Sequence, residues 1–105
     1  MRHYINNMKI PDKIKVGGHD YKVVWDDEKL SNDNFTGLAC HRELIIYLCK
    51  TYRGDKLAKS VIEETLLHEI IHTIDVVYNN HLLSEDSVDR LSEGLYQVLV
   101  DNFKF

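Results

Sequence analysis

Hydrophobic and polar positions alternate through the first half of the chain and recur at helical spacing through the second. Lys13-Ile14-Lys15-Val16 alternates, Gly17-Gly18-His19-Asp20 interrupts, and Tyr21-Lys22-Val23-Val24-Trp25 resumes with β-branched and aromatic residues. Two such runs joined through Gly-Gly predict a β-hairpin, with His19 a solvent-exposed turn residue. Pro11 punctuates the chain before it, because proline restricts the residue it follows and cannot donate to a ladder. Residues 1–9 show no periodicity and read as an N-terminal extension. Residues 26–35 are rich in Asp, Asn and Ser and read as a loop or short helical turn. Residues 37–41 and 43–49 then read as two more strands that turn near His41-Arg42, with His41 at the surface. About four strands are expected, in an antiparallel or mixed sheet.

Residues 50–55 connect sheet to helix, with Gly54-Asp55 as the turn and Asp55 as the expected N-cap. Residues 56–78 are helical in composition, with a break expected near Ser60. At roughly 100° per residue, Leu67, Ile70, Ile71, Ile74, Val77 and Tyr78 fall on one side of that helix, for the core. Thr65, His68, Glu69, His72 and Asp75 fall on the other. Asn79-Asn80-His81 is a stop, since asparagine tolerates the left-handed backbone, and His81 is a loop residue. Ser84 followed by Glu85-Asp86 is a capped helix start with acids at the positive end. Val88, Leu91, Leu95, Val98 and Leu99 continue at helical spacing to about Asn102. Gly94 inside that run predicts close helix packing, and Phe103 and Phe105 are expected against the core.

Composition narrows the class. At 105 residues, 44% hydrophobic and 29% charged, the chain is expected to be one domain with a core of its own. A net charge of −4 and a pI near 5.8 disfavour a nucleic-acid-binding surface. No apolar run approaches the roughly 20 residues of a membrane span, and the polar start does not resemble a signal peptide, so a cytoplasmic protein is expected. Cys40 and Cys49 are too few and too far apart for a zinc ribbon and are expected as free, buried or half-buried thiols.

The chemistry concentrates in Leu67-His68-Glu69-Ile70-Ile71-His72, a His-Glu-x-x-His pattern. On a helix the two histidines lie one turn apart and project side by side, so both imidazoles can reach one zinc ion at about 2.0–2.1 Å. Glu69 is then not a ligand but a general base beside a water activated by the metal. The bland alternative is an amphipathic helix with two histidines on its wet face; placement of the motif opposite an apolar side favours the site. A third protein ligand is required, with a fourth position left for water. Asp75 shares the face but sits about 10 Å along the axis from His68, so it is expected to orient His72 or a neighbouring group instead. The remaining candidates are acids of the last helix. Glu85 lies nearest its apolar stripe, while a simple antiparallel hairpin would set Asp89 or Glu93 opposite His72. Tyr96, on the side of Glu85, is a candidate donor to a developing oxyanion, or else a half-buried aromatic.

Strands, then Thr65-Leu66-Leu67-His68-Glu69-Ile70-Ile71-His72-Thr73-Ile74-Asp75, then Glu85-x-x-Val88-x-x-Leu91 opening a final helix, resembles the small zincin metallopeptidases. The resemblance is to short phage- or prophage-type proteins related to the ImmA/IrrE group, and spans roughly residues 13–102. It implies an α+β zincin-like domain, a small twisted sheet packed on the active-site helix with a C-terminal helix completing the site. It also implies peptide-bond hydrolysis, one zinc ion held by His68, His72 and Glu85, and Glu69 as the base. Residues 43–49 would be the edge strand that holds an extended protein or peptide substrate by β-augmentation. The competing expectation is a binding module that keeps the fold and acts through protein–protein interaction. Intact Glu69 disfavours it, because a structural zinc site needs no base and closes with four protein ligands.

Overall fold

A computed structural model describes residues 9–103; the extension before Lys9 and Phe105 lie outside the described residues. The hairpin forms, but its turn is only Gly17-Gly18: His19 and Asp20, expected in the turn, are the first residues of the second strand. Strand β1 (Lys13–Val16) and β2 (His19–Trp25) pair antiparallel, with Val16 opposite His19. Gly17 takes φ +61° at the turn, a conformation that costs glycine little. A short helix α1 (Asp27–Asp33) then carries the chain across the sheet. Its N-cap, Asp26, accepts from the Lys29 N–H, and Asn34 ends it at φ +64°. β3 (Gly37–Cys40) and β4 (Ile45–Leu48) follow as an antiparallel pair.

The sheet order is β1-β2-β4-β3, with β2 and β4 parallel. This moves the edge. The strand expected at the cleft, β4, is central and paired on both sides, and among the described residues β3 is the sheet edge instead. The connection through α1 carries the chain past the place of β4 to the far edge, and the turn after β3 brings β4 back beside β2.

Beyond β4 the expected loop is a small hairpin, β5 (Thr51–Tyr52) and β6 (Asp55–Lys56), turning through Arg53 and Gly54 at positive φ. The Asp27 carboxylate anchors it, accepting from the Lys50 and Thr51 N–H groups and from the Thr51 hydroxyl at 2.8 Å. Asp55 is therefore strand-bound and caps nothing. Helix α2 (Lys59–Tyr78) starts on Ala58 without a side-chain cap and runs unbroken. Ser60 marks its beginning, not a break. Helix α3 (Glu85–Asn102) starts on Ser84, whose hydroxyl accepts from the Ser87 N–H.

α2 is the middle layer of this α+β fold. Leu66, with Ile70 and Val77, packs on Val16, Tyr21, Ile46 and Leu48 of the sheet. Leu67, again with Ile70, packs on Tyr96, Leu99 and Val100 of α3. Covered on two sides, α2 buries an arc turned toward the motif: Leu66, Glu69 and Thr73 are inside, whereas Ile74 is 44% and Tyr78 69% exposed. α3 likewise buries Val88, Ser92, Tyr96 and Val100 and leaves Leu91, Leu95 and Val98 in solvent. Gly94 faces open space, so close packing does not explain it, and Phe103 is half exposed. Among the described residues no helix is long and apolar enough to cross a membrane.

Candidate metal and active site

The site begins with the turn between α2 and α3. Asn80 and His81 take φ near +55°, reversing the chain after Tyr78. Asp75 holds the reversal: its carboxylate accepts from the Asn79 side chain at 2.9 Å and from the Leu82 and Leu83 N–H groups at 3.1 and 3.2 Å. Burial alone would raise the Asp75 carboxyl; the hydrogen bonds from Asn79, Leu83 and Leu82 and the charge of His81 outweigh it and hold the group below the usual carboxylate value. Of the two expected roles, Asp75 does not orient His72; its hydrogen bonds go to the neighbouring loop, which it organises. By bonding Leu82 and Leu83, it also draws the loop back alongside α2, so α3 begins roughly level with His72.

At that level the three acids separate by distance. The Glu85 carboxylate spans both histidines, Oε1 at 3.0 Å from His68 Nε2 and Oε2 at 2.9 Å from His72 Nε2. Asp89, one turn further, lies 3.1 Å from His68 Nδ1. Glu93 stands further along the same cavity wall. The imidazoles of His68 and His72 meet edge to face with centroids 4.7 Å apart. One donor atom from each of His68, His72 and Glu85 lies within 4.8 Å of the other two, a group that could hold a metal ion. Two imidazoles and a carboxylate suit zinc and other first-row divalent ions. If Nε2 of His68 faces the ion, its Nδ1–H is left for Asp89, the outer carboxylate that commonly fixes a ligating histidine.

Glu69 points the other way, toward the sheet. It is 6% exposed, and its Oε1 accepts from the Ala39 N–H of β3 at 3.0 Å. Burial pushes its carboxyl up to about 7; His68 and the Ala39 N–H pull it down, and the charge of Glu85 adds to the rise. The approach of β3 depends on Gly37, where a Cβ would stand 2.4 Å from Thr65 Cγ2 and 3.4 Å from Glu69 Cγ. Around these groups opens a cavity of about 720 Å³ between β3, α2 and the first turns of α3. Asn34, Phe35, Thr36 and Leu38 form one wall, and Glu64, Thr65 and Val61 another.

Tyr96 takes the second of its two expected places, and His41 leaves the one expected for it. Tyr96 is not among the cavity residues: its ring is buried with Leu67 and Val100, and its hydroxyl donates to Glu63 Oε1 at 2.9 Å. An α3 stripe of Val88, Ser92, Tyr96 and Val100 faces α2, and this carries Tyr96 into the core. His41, expected at the surface, lines the cavity with His68, Glu69 and His72. The signal that could have found it is its position directly after the edge strand, which only the sheet order reveals. No protein family, curated protein or solved structure matches the chain.

Proposed function

We propose that the protein is a zinc-dependent peptidase of zincin type, acting in the cytoplasm on an extended protein segment. The observation that carries this is a division of labour around one helical turn. His68 and His72 converge with Glu85 on one point, while Glu69 between them is held aside by the Ala39 N–H. A purely structural metal site has no use for a buried carboxylate kept out of the ligand set. Free Cys40 and Cys49 suit a reducing compartment.

Zinc, when bound, would polarise the scissile carbonyl and make water acidic enough to lose a proton near neutral pH. Every other task falls to the chain. His68, His72 and Glu85 hold the ion, and Asp89 fixes the His68 ring. The free edge of β3 lies along the cavity. Because the Ala39 N–H points away from β4, the backbone of Gly37 shares that orientation and offers pairing positions to a substrate strand. Glu69 accepts the proton of the attacking water and delivers it to the amide nitrogen as the C–N bond breaks, so that water is consumed and an acid and an amine leave.

Native mass spectrometry and hydrolysis assays on the wild type, His72→Ala, Glu85→Ala and Glu69→Ala test this. One zinc per wild-type chain, lost in the first two variants and kept in Glu69→Ala with hydrolysis abolished, is expected. A wild type that binds no supplied zinc would replace the peptidase with a metal-free binding module. Zinc retained in Glu85→Ala would transfer the third ligand to Asp89 or Glu93.

A further inference from the structure

The cavity contains one imidazole that neither the metal ligands nor the base requires. His41 lies at the turn after β3, and its ring packs edge to face on Tyr21 with centroids 6.0 Å apart. We propose that His41 is a catalytic hydrogen-bond donor, offering Nε2–H to the substrate carbonyl oxygen as that oxygen gains negative charge, and that Tyr21 is the positioning residue that fixes its tautomer. This rests on the peptidase function proposed above and adds the group that would stabilise the charge.

The tautomer follows from Tyr21. That side chain is 2% exposed, and burial pushes its hydroxyl above the usual phenol value, so it keeps its proton. A buried phenol O–H needs an acceptor. Among the described residues its hydrogen-bond partner is His41 Nδ1 at 3.2 Å, and in the proposed arrangement the hydroxyl donates. A ring nitrogen that accepts cannot also carry hydrogen, which leaves the proton of the neutral ring on Nε2. Burial holds His41 below the ordinary histidine value and favours that neutral ring.

Nε2 is also accessible. Among the described residues, the buried side-chain nitrogen or oxygen atoms without a partner reduce to Glu63 Oε2. His41 Nε2 is therefore not sealed away, and the residue lines the cavity that holds Glu69 and His72. The ring is held on one edge by a core tyrosine, and the residue lines the cavity; in the proposed arrangement its other edge supplies the N–H. A donor prepared in this way stabilises developing charge without reorganising at the moment of reaction.

Long-range proton–nitrogen NMR of the full zinc-loaded chain at neutral pH reads the tautomer directly. His41 protonated on Nε2 in the wild type, and a mixture of tautomers in Tyr21→Phe, is expected. A dipeptide phosphonamidate, whose anionic oxygens imitate the charged carbonyl oxygen, reads the donor. His41→Ala should keep its zinc and bind this probe at least about tenfold more weakly, with kcat on a cleaved peptide lowered about 10²–10³-fold. His41→Gln, which restores an N–H, should recover part of both losses. An Nδ1–H tautomer in the wild type, or phosphonamidate binding within about twofold of wild type in His41→Ala, overturns the assignment. Glu69→Gln separates the two levels. If it stops hydrolysis while His41→Ala binds the probe normally, only the role of His41 falls; if the wild type takes up neither zinc nor probe, the peptidase function falls with it.

Discussion

Replacing Tyr96 with phenylalanine tests whether that tyrosine belongs to the core or to the chemistry. The ring stays buried between α2 and α3, so nearly all of its apolar contact survives. What disappears is the 2.9 Å hydrogen bond from its hydroxyl to Glu63 Oε1. Glu63 is fully buried and its Oε2 already lacks a partner, so the variant leaves the whole carboxyl bare. A hydrogen bond to a charged group contributes about 1.5–3 kcal/mol, against about 0.5–1.5 kcal/mol for a neutral pair. With folding free energies of about 5–15 kcal/mol, the loss is a sizeable fraction of the total. It should lower the melting temperature by on the order of 10 °C and the urea midpoint by roughly 1 M.

The loss also depends on pH. Burial raises the Glu63 carboxyl, opposed by the Tyr96 hydrogen bond and the charge of Lys59. A raised folded-state value means the stability contribution is full below the unfolded-chain value and is lost as pH rises through the folded one. Removing the hydroxyl raises that value further, so the gap between variant and wild type should widen from acid to neutral pH. Glu63→Gln, which cannot titrate, should flatten the dependence. Urea unfolding at several pH values, alongside peptide hydrolysis, decides the matter. A variant as stable as wild type but inactive would place Tyr96 in the reaction and refute the core assignment.

Asp75→Ala should unfold at lower temperature and bind zinc less tightly, because it frees the loop that sets the level of Glu85; calorimetry with and without zinc measures both. Since the folded Asp75 carboxyl lies below its ordinary value, its contribution is present above the unfolded-chain value and lost as pH falls through the folded one, so the difference from wild type should shrink in acid. Gly37→Ala should cost about 1–3 kcal/mol by overpacking and release Glu69 from Ala39. Adding Thr65→Ser removes the methyl that the new Cβ would strike and should restore both stability and hydrolysis; no restoration would contradict the close-approach role. Gly94→Ala, in a helix interior with nothing within 4 Å of a new Cβ, should stabilise by about 1 kcal/mol in urea unfolding.

Local chemistry made part of this fold legible in the sequence. Gly17-Gly18 between alternating runs specified the first hairpin, and Ser84 before two acids located the start of α3 to the residue. The rotation of α2 was not legible, because a helix covered on two sides buries a wider arc than apolar residues alone mark out. Glu69, Thr73 and Asp75 are polar by composition and buried by context. The candidate ligands lie close in sequence, and helical geometry could bring His68, His72 and an acid of α3 to one point. His41 and the Ala39 N–H could not be found this way, since their approach depends on β3 being the edge strand, a matter of sheet order that no window of sequence contains.

The separation in sequence between these two sets of groups also orders assembly. His68 and Glu85 are 17 residues apart, whereas Ala39 and Glu69 are 30 apart and join a strand to a helix. Loop-closure entropy grows only slowly with length, but strand docking also requires the sheet to exist, and such non-local contacts form late in folding. The helical hairpin can therefore gather its candidate metal ligands before β3 arrives to hold Glu69. For the proposed zinc peptidase the same hierarchy runs backwards in denaturant: undocking of β3 is expected to stop hydrolysis while the hairpin still holds the ion, so metal release should trail the loss of activity.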